Sequence, residues 1–266
     1  MILKLPIILL TMIITRMTSA CDDNLPEVDL ASPDAGINLV DALQNWGFSY
    51  LKGHGVDKAL IEKAQFQAKR FFGIPNRVKR QVQADRFANV MKTIRGYQGI
   101  RNEQLDIRGK PDLKEVLDVG YVNGTSSNRR RYKRHYLGEN KWPKDEKDLE
   151  NVINEYSENV ANLAKKVLNL VADGVGANGA FDDTFGDDAL QVQRLTRYPP
   201  SNEIDDKENG EIGSGTHSDY GGVTILYADG PGLQVLKPNI TSTLVSYIYL
   251  HISTQTIICN SSFFFR

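Results

Sequence analysis

His217 and Asp219 stand two residues apart in Thr216–His217–Ser218–Asp219–Tyr220–Gly221–Gly222, pairing a neutral nitrogen donor with an anionic oxygen donor. On an extended strand, residues i and i+2 face the same way, so both side chains would reach one cation. That donor pair suits Fe(II), particularly where a second histidine completes a two-histidine, one-carboxylate face. A lone H-x-D triplet also recurs by chance in surface loops, so its flanks decide how much it says. Upstream, Gln191 to Arg197 is strand-like and runs through Tyr198 into the stop Pro199–Pro200. An acidic loop, Ser201 to Gly210, follows. Downstream, Val223 to Leu226 and Leu233 to Leu236 read as short strands around the turn Asp229–Gly230–Pro231–Gly232. Strand, loop, ligand strand, turn and strand is how an all-β barrel or jelly roll displays a site.

The elements that must hold this stretch lie upstream. Residues 25–75 read as strand, helix, strand, helix. Leu39, Val40, Leu43 and Trp46 recur at helical spacing, as do Leu60, Ile61, Ala64, Ala68, Phe71 and Phe72 before Gly73 and Pro75. His54, between Gly53 and Gly55, reads as a turn histidine. The clearest helix runs from about Asp148 to Val175, with Leu149, Val152, Ile153, Tyr156, Val160, Leu163, Val167 and Leu168 in steps of three and four. Gly174 and Gly176 end it. A helix of this kind should buttress one face of a β-core. Residues 76–147 are polar and short on periodicity. The basic run Arg129, Arg130, Arg131, Lys133, Arg134 and the acidic group Asp182, Asp183, Asp187, Asp188 both read as solvated surface.

Composition bounds the function. At 266 residues the chain can bury a sizeable core, and a formal net charge of −1 favours neither nucleic acid nor an anionic membrane. Cys21 and Cys259 form no zinc spacing and no disulfide framework, which fits a reducing compartment. A cytoplasmic location is therefore expected. Residues 1–20 read either as an upstream extension of the reading frame or as a signal, in which case the protein is secreted. The sequons at Asn123, Asn239 and Asn260 matter only in that second case. No run is long enough to span a bilayer without polar interruption. From Asn239 to Phe265 there is no Asp, Glu, Lys or Arg, in a chain that is 24% charged overall. This break in composition is read as the coding sequence leaving its natural frame near Lys237–Pro238, making 239–266 an atypical tail.

The ordered motifs resemble the iron- and 2-oxoglutarate-dependent dioxygenases, in particular the isopenicillin N synthase-like group. They are Leu25 to Leu30, Trp46 to Val56, Phe71 to Pro75, Lys114 to Asp118, Gly138 to Pro143, Arg194 to Pro200, His217 to Asp219 and Gly230 to Val235. The resemblance implies a mainly β fold with flanking helices, built on a double-stranded β-helix (jelly roll) core that is incomplete at its C-terminal end. It divides the chain into an N-terminal dioxygenase region at 25–145 and a long helix plus partial catalytic core at 146–238. It implies Fe(II) held by His217 and Asp219, and Tyr198 as a contact for the cosubstrate 2-oxoglutarate. With O2, such a site hydroxylates, desaturates or cyclises a small organic substrate while 2-oxoglutarate is converted to succinate.

The sequence also departs from that pattern. The family's distal histidine lies several tens of residues beyond the aspartate, followed by Arg-x-Ser. Here only His251 follows His217, in a strand-like setting with neither flank, and Arg266 is the sole arginine beyond Asp219. The expectation is therefore an oxygenase impaired by loss of a third ligand and of the cosubstrate's arginine, poorly soluble because missing strands leave β-edges unpaired. The alternatives are a non-catalytic small-molecule-binding remnant of the same fold, a secreted glycoprotein, and a cosubstrate-free iron oxidase. Substrate and oligomeric state are not legible.

Overall fold

The computed structural model describes residues 7–14, 25–84, 95–120, 139–182, 190–200, 203–204, 211–217, 219, 222–230, 233–235, 248–251 and 263–265. In chain order the elements are β1 (Ile7–Ile14), β2 (Glu27–Asp29), α1 (Ala35–Asn45), β3 (Tyr50–Lys52), α2 (Lys58–Gly73), and α3 (Asn76–Lys79) running into a 3-10 turn at Arg80–Val82. There follow β4 (Gly96–Gln98), β5 (Glu115–Gly120), α4 (Lys147–Gly174), β6 (Leu190–Arg197), β7 (Val223–Ala228), β8 (Leu233–Val235), β9 (Ile248–His251) and β10 (Phe263–Phe265).

The helices form where apolar periodicity and end signals agree. Asp57 caps α2 by accepting the Ala59 N–H at 2.9 Å. At the end of α4, Gly176 takes φ +72°, which lets its own N–H reach the Asp173 carbonyl and the Ala177 N–H reach the Ala172 carbonyl. Along α4, Leu149, Ile153, Tyr156, Val160, Ala164 and Val167 are buried in one stripe. Each large apolar side chain buried there stabilises the fold by roughly 1.5–3 kcal/mol. α1 and α4 meet backbone to backbone: a Cβ on Gly36 would lie 2.5 Å from the Leu170 carbonyl oxygen, so only glycine permits the crossing.

Eight strands form one mixed sheet in the order β2-β3-β9-β7-β1-β6-β5-β4, and β8 pairs with β10 in a separate two-stranded sheet. β5 runs antiparallel to β6, with Glu115 opposite Arg197 and Asp118 opposite Arg194. Leu117, Val119, Leu195, Val223 and Ile225 join the helices in one core. Strand alternation turns Val116, Asp118, Arg194, Thr196, Thr224 and Leu226 to the other face.

Two details differ from what the sequence suggests. β7 and β8 flank a turn but do not pair with each other; β8 pairs with β10. The expected open edges of β6 and β7 are occupied, because β1 pairs parallel to both and β9 pairs parallel to β7. Backbone donors that would otherwise face water satisfy themselves with the chain's own terminal segments. The basic run at 129–134, Asp183, Asp187, Asp188 and the three sequon asparagines lie outside the described residues.

Candidate functional site

Tyr198 follows β6 directly and continues the alternation that turns Arg194 and Thr196 away from the helices. Its ring packs against Leu226 of β7, and its hydroxyl is hydrogen-bonded to Ser214. Burial, reinforced by the Asp112 charge, pushes the phenol far above its ordinary pKa, so it stays protonated.

His217 and Asp219 do not lie on a strand. They sit in an irregular segment leading into β7, and their convergence has another cause than strand alternation. The Gly215 carbonyl lies 2.8 Å from His217 Nδ1. A carbonyl can only accept, so Nδ1 carries a proton, and Nε2 is the ring nitrogen left to face a cation. Thr224 Oγ1 donates to Asp219 Oδ2 at 2.9 Å, which leaves the other carboxylate oxygen free to turn inward. Nε2 and Oδ1 then face each other at 3.4 Å, with side chains 19% and 11% exposed. Two electron-rich atoms so placed need a proton or a cation between them, and one metal ion with bonds of about 2.1 Å spans that gap. This donor set fits a divalent metal of intermediate softness.

Behind the loop lies a network of buried charges. Lys114, 4% exposed, ion-pairs with Asp112 Oδ2 at 2.9 Å and Glu103 Oε2 at 3.0 Å, and donates to Ser214 Oγ at 3.1 Å. Arg194 forks onto Asp118 (2.7 and 2.9 Å) and Glu103 (3.0 and 3.2 Å). Burial opposes its charge, but the two carboxylates outweigh that and hold the guanidinium well above its ordinary pKa.

All three residues singled out from sequence therefore meet on one side of the sheet: Tyr198 is tied to Ser214, three residues before His217. Sequence reasoning missed Asp112, Glu103, Ser214 and Thr224 as contributors. Lys114, Asp118 and Arg194 fell within quoted motifs without a role, although Arg194 and Tyr198, four apart in one extended run, share a face. His251 pairs by backbone with Leu226 of β7. Among the described residues no three His, Cys, Asp or Glu side chains cluster to hold a metal ion, and no helix is long and apolar enough to cross a membrane.

Comparison with known proteins bears on the family of the chain. The region described as "non-haem dioxygenase in morphine synthesis N-terminal" matches residues 25–145. The chain is 28% identical over 224 residues to homoarginine-6-hydroxylase 2-ODD-233 of Oryza sativa subsp. japonica, covering 84% of this chain and 65% of that protein. It is 31% identical over 227 residues to the 2-oxoglutarate-dependent dioxygenase citB of Monascus ruber, covering 79% and 67%. It thus spans about two thirds of the length of these relatives. Its fold is shared with a full-length Neurospora crassa protein crystallised in complex with alpha-KG, at a TM-score of 0.67 and 22% identity over 91% of this chain and 75% of that one.

Proposed function

The chain belongs to the 2-oxoglutarate-dependent, non-haem iron dioxygenases, and from that premise we propose that His217 and Asp219 are two of its iron ligands in an oxygenase acting on a small organic substrate. The observation that carries this reading is the facing pair His217 Nε2 and Asp219 Oδ1, 3.4 Å apart and each fixed from behind by its own hydrogen bond. Bound Fe(II), with 2-oxoglutarate and O2, supplies the oxidising chemistry: the cosubstrate loses CO2 to become succinate while a C–H bond of the substrate is oxidised. The protein's part is orientation. Gly215 fixes the imidazole tautomer, and Thr224 selects which carboxylate oxygen faces the metal. Tyr198, kept protonated by burial, offers a hydrogen-bond donor to the cosubstrate's carboxylate. Leu226 and Ala228 beside it limit the access of water. The finer architecture belongs to the same proposal: the sheet is the jelly-roll core of the family, supported by the fold shared with the Neurospora crassa protein.

Anaerobic titration with Fe(II) tests the assignment. The wild-type chain is expected to take up one equivalent weakly, and His217→Ala to take up none while keeping its far-UV circular dichroism. A folded wild-type chain that binds no iron removes the proposal. Succinate formation from 2-oxoglutarate is the parallel readout of turnover. Iron uptake without any 2-oxoglutarate turnover would favour a binding protein of the same fold.

A further inference from the structure

The segment 211–217 has no regular hydrogen-bond ladder of its own. It is laced to the neighbouring stretch 101–114 by several ties. Arg101 grips Glu211 through Nε at 2.6 Å and Nη2 at 3.0 Å. The Leu113 N–H donates to the Ile212 carbonyl at 3.0 Å, and Lys114 Nζ donates to Ser214 Oγ at 3.1 Å. The last tie is Asp112 Oδ1, which accepts the Gly215 N–H at 2.8 Å. The loop comes so close that a Cβ on Gly215 would lie 2.8 Å from Asp106 Cβ and 2.9 Å from its backbone nitrogen. Both peptide groups flanking the Gly215 Cα are thereby committed: one donates to Asp112, and the other accepts from His217 Nδ1.

We propose that Asp112 is a positioning residue for the metal-ligand histidine, setting the tautomer and ring plane of His217 through Gly215. The inference rests on the metal-site reading above and deepens it. A buried carboxylate is a costly way to hold a loop unless it is compensated. Asp112 is 1% exposed; Lys114, itself shared with Glu103, lies 2.9 Å from its Oδ2 and compensates the charge as an ion pair, without an aligned hydrogen bond to that oxygen. The ammonium holds the carboxylate in place, the carboxylate fixes the 214–215 peptide, and the next carbonyl determines which imidazole nitrogen carries the proton. Supports of this kind behind a ligating histidine orient it and raise its affinity for metal.

The test reads the ring and the metal separately. In the metal-free chain, long-range proton–nitrogen NMR of His217 reports the tautomer; Co(II), followed by its visible absorption, reports the site. Wild type is expected to show a single Nδ1–H tautomer. Asp112→Ala is expected to show a mixture and to bind Co(II) roughly tenfold more weakly or worse. Asp112→Asn keeps the volume and covers the case in which the alanine variant does not fold. Lys114 draws the single amide oxygen to itself, which leaves an NH2 against the Gly215 N–H, so both readouts shift in the same direction. Ile153→Val, in the helix-side core, controls for general loosening and is expected to move neither readout. If wild type binds Co(II) while the folded Asp112 variants keep its tautomer and its affinity within about twofold, the inference fails and the metal site stands. If wild type binds no Co(II), both fall.

Discussion

Two arginine–carboxylate pairs cross from β5 to β6 three register positions apart, and they lie on opposite faces of the ribbon. Glu115 and Arg197 meet at 2.8 Å on the helix side, where Lys79 at 2.6 Å and the Tyr97 hydroxyl at 2.7 Å close around the same carboxylate. Lys79 is itself 4% exposed and also donates to the Phe72 carbonyl, at the end of α2. This first cluster staples a helix end to the sheet. Asp118 and Arg194 meet on the other face, where Glu103, Lys114 and Asp112 continue the charges to the loop that carries His217. Identical pairing chemistry thus does two jobs, and the face decides which. Glu115 and Asp118 are three residues apart, an odd step that sends them to opposite sides.

The largest expected effect breaks the helix-side cluster. Lys79→Met removes one of the two cations from buried Glu115, leaving Arg197 and the Tyr97 hydroxyl on it, and is expected to lower stability by about 1.5–3 kcal/mol, read by urea unfolding. Metal uptake per folded molecule should not change, and a change would erase the division between the faces. Thr224→Val acts on the opposite face. It removes the hydrogen bond to Asp219 and should reduce stability by only about 1 kcal/mol. Its Co(II) affinity should nevertheless fall by roughly tenfold, as for other supports behind a ligand. Tyr198→Phe is expected to leave metal uptake intact and to raise the KM for 2-oxoglutarate several-fold, in line with one hydrogen bond of about 0.5–1.5 kcal/mol. The smallest effect is expected at His54, whose Nδ1 accepts the Val56 N–H at 3.1 Å. Burial, aided by the Lys166 charge, lowers its pKa below the ordinary 6.5. The unfolded chain therefore binds the proton more readily, so this contribution is present above about pH 6.5 and lost as pH falls through and below it. His54→Asn keeps a turn acceptor and should flatten thermal stability between about pH 7 and 5 relative to wild type.

The sequence made one face far more legible than the other. The apolar stripes of α1, α2 and α4 are local, repeat at helical spacing and carry their own end signals, so the helix-side core could be read directly. His217, Asp219 and Tyr198 were found by residue type and by the flanking strand and turn residues. The reason given for the first two, alternation along a strand, was wrong; the Gly215 carbonyl and the Thr224 hydroxyl bring them together instead. What could not be read is the cradle of residues 101–114. Its ties join residues 110, 103 and 100 positions apart, and such contacts leave no periodicity in either partner segment. β5 escaped for a related reason. In Glu115–Val116–Leu117–Asp118–Val119–Gly120 every residue is buried, so its charged positions mark internal pairing rather than a solvent face.

β1 has a consequence for the order of assembly. Its eight residues are synthesised well before either of its ladder partners, both of which follow α4. Parallel pairing across so long a stretch of chain is slow to form. Until it forms, Ile7–Ile14 is a free, strongly apolar ribbon, and β6 and β7 each offer a vacant rim to any other extended peptide nearby. Trimming that ribbon away would make this transient hazard permanent, at the two strands that flank the loop carrying His217.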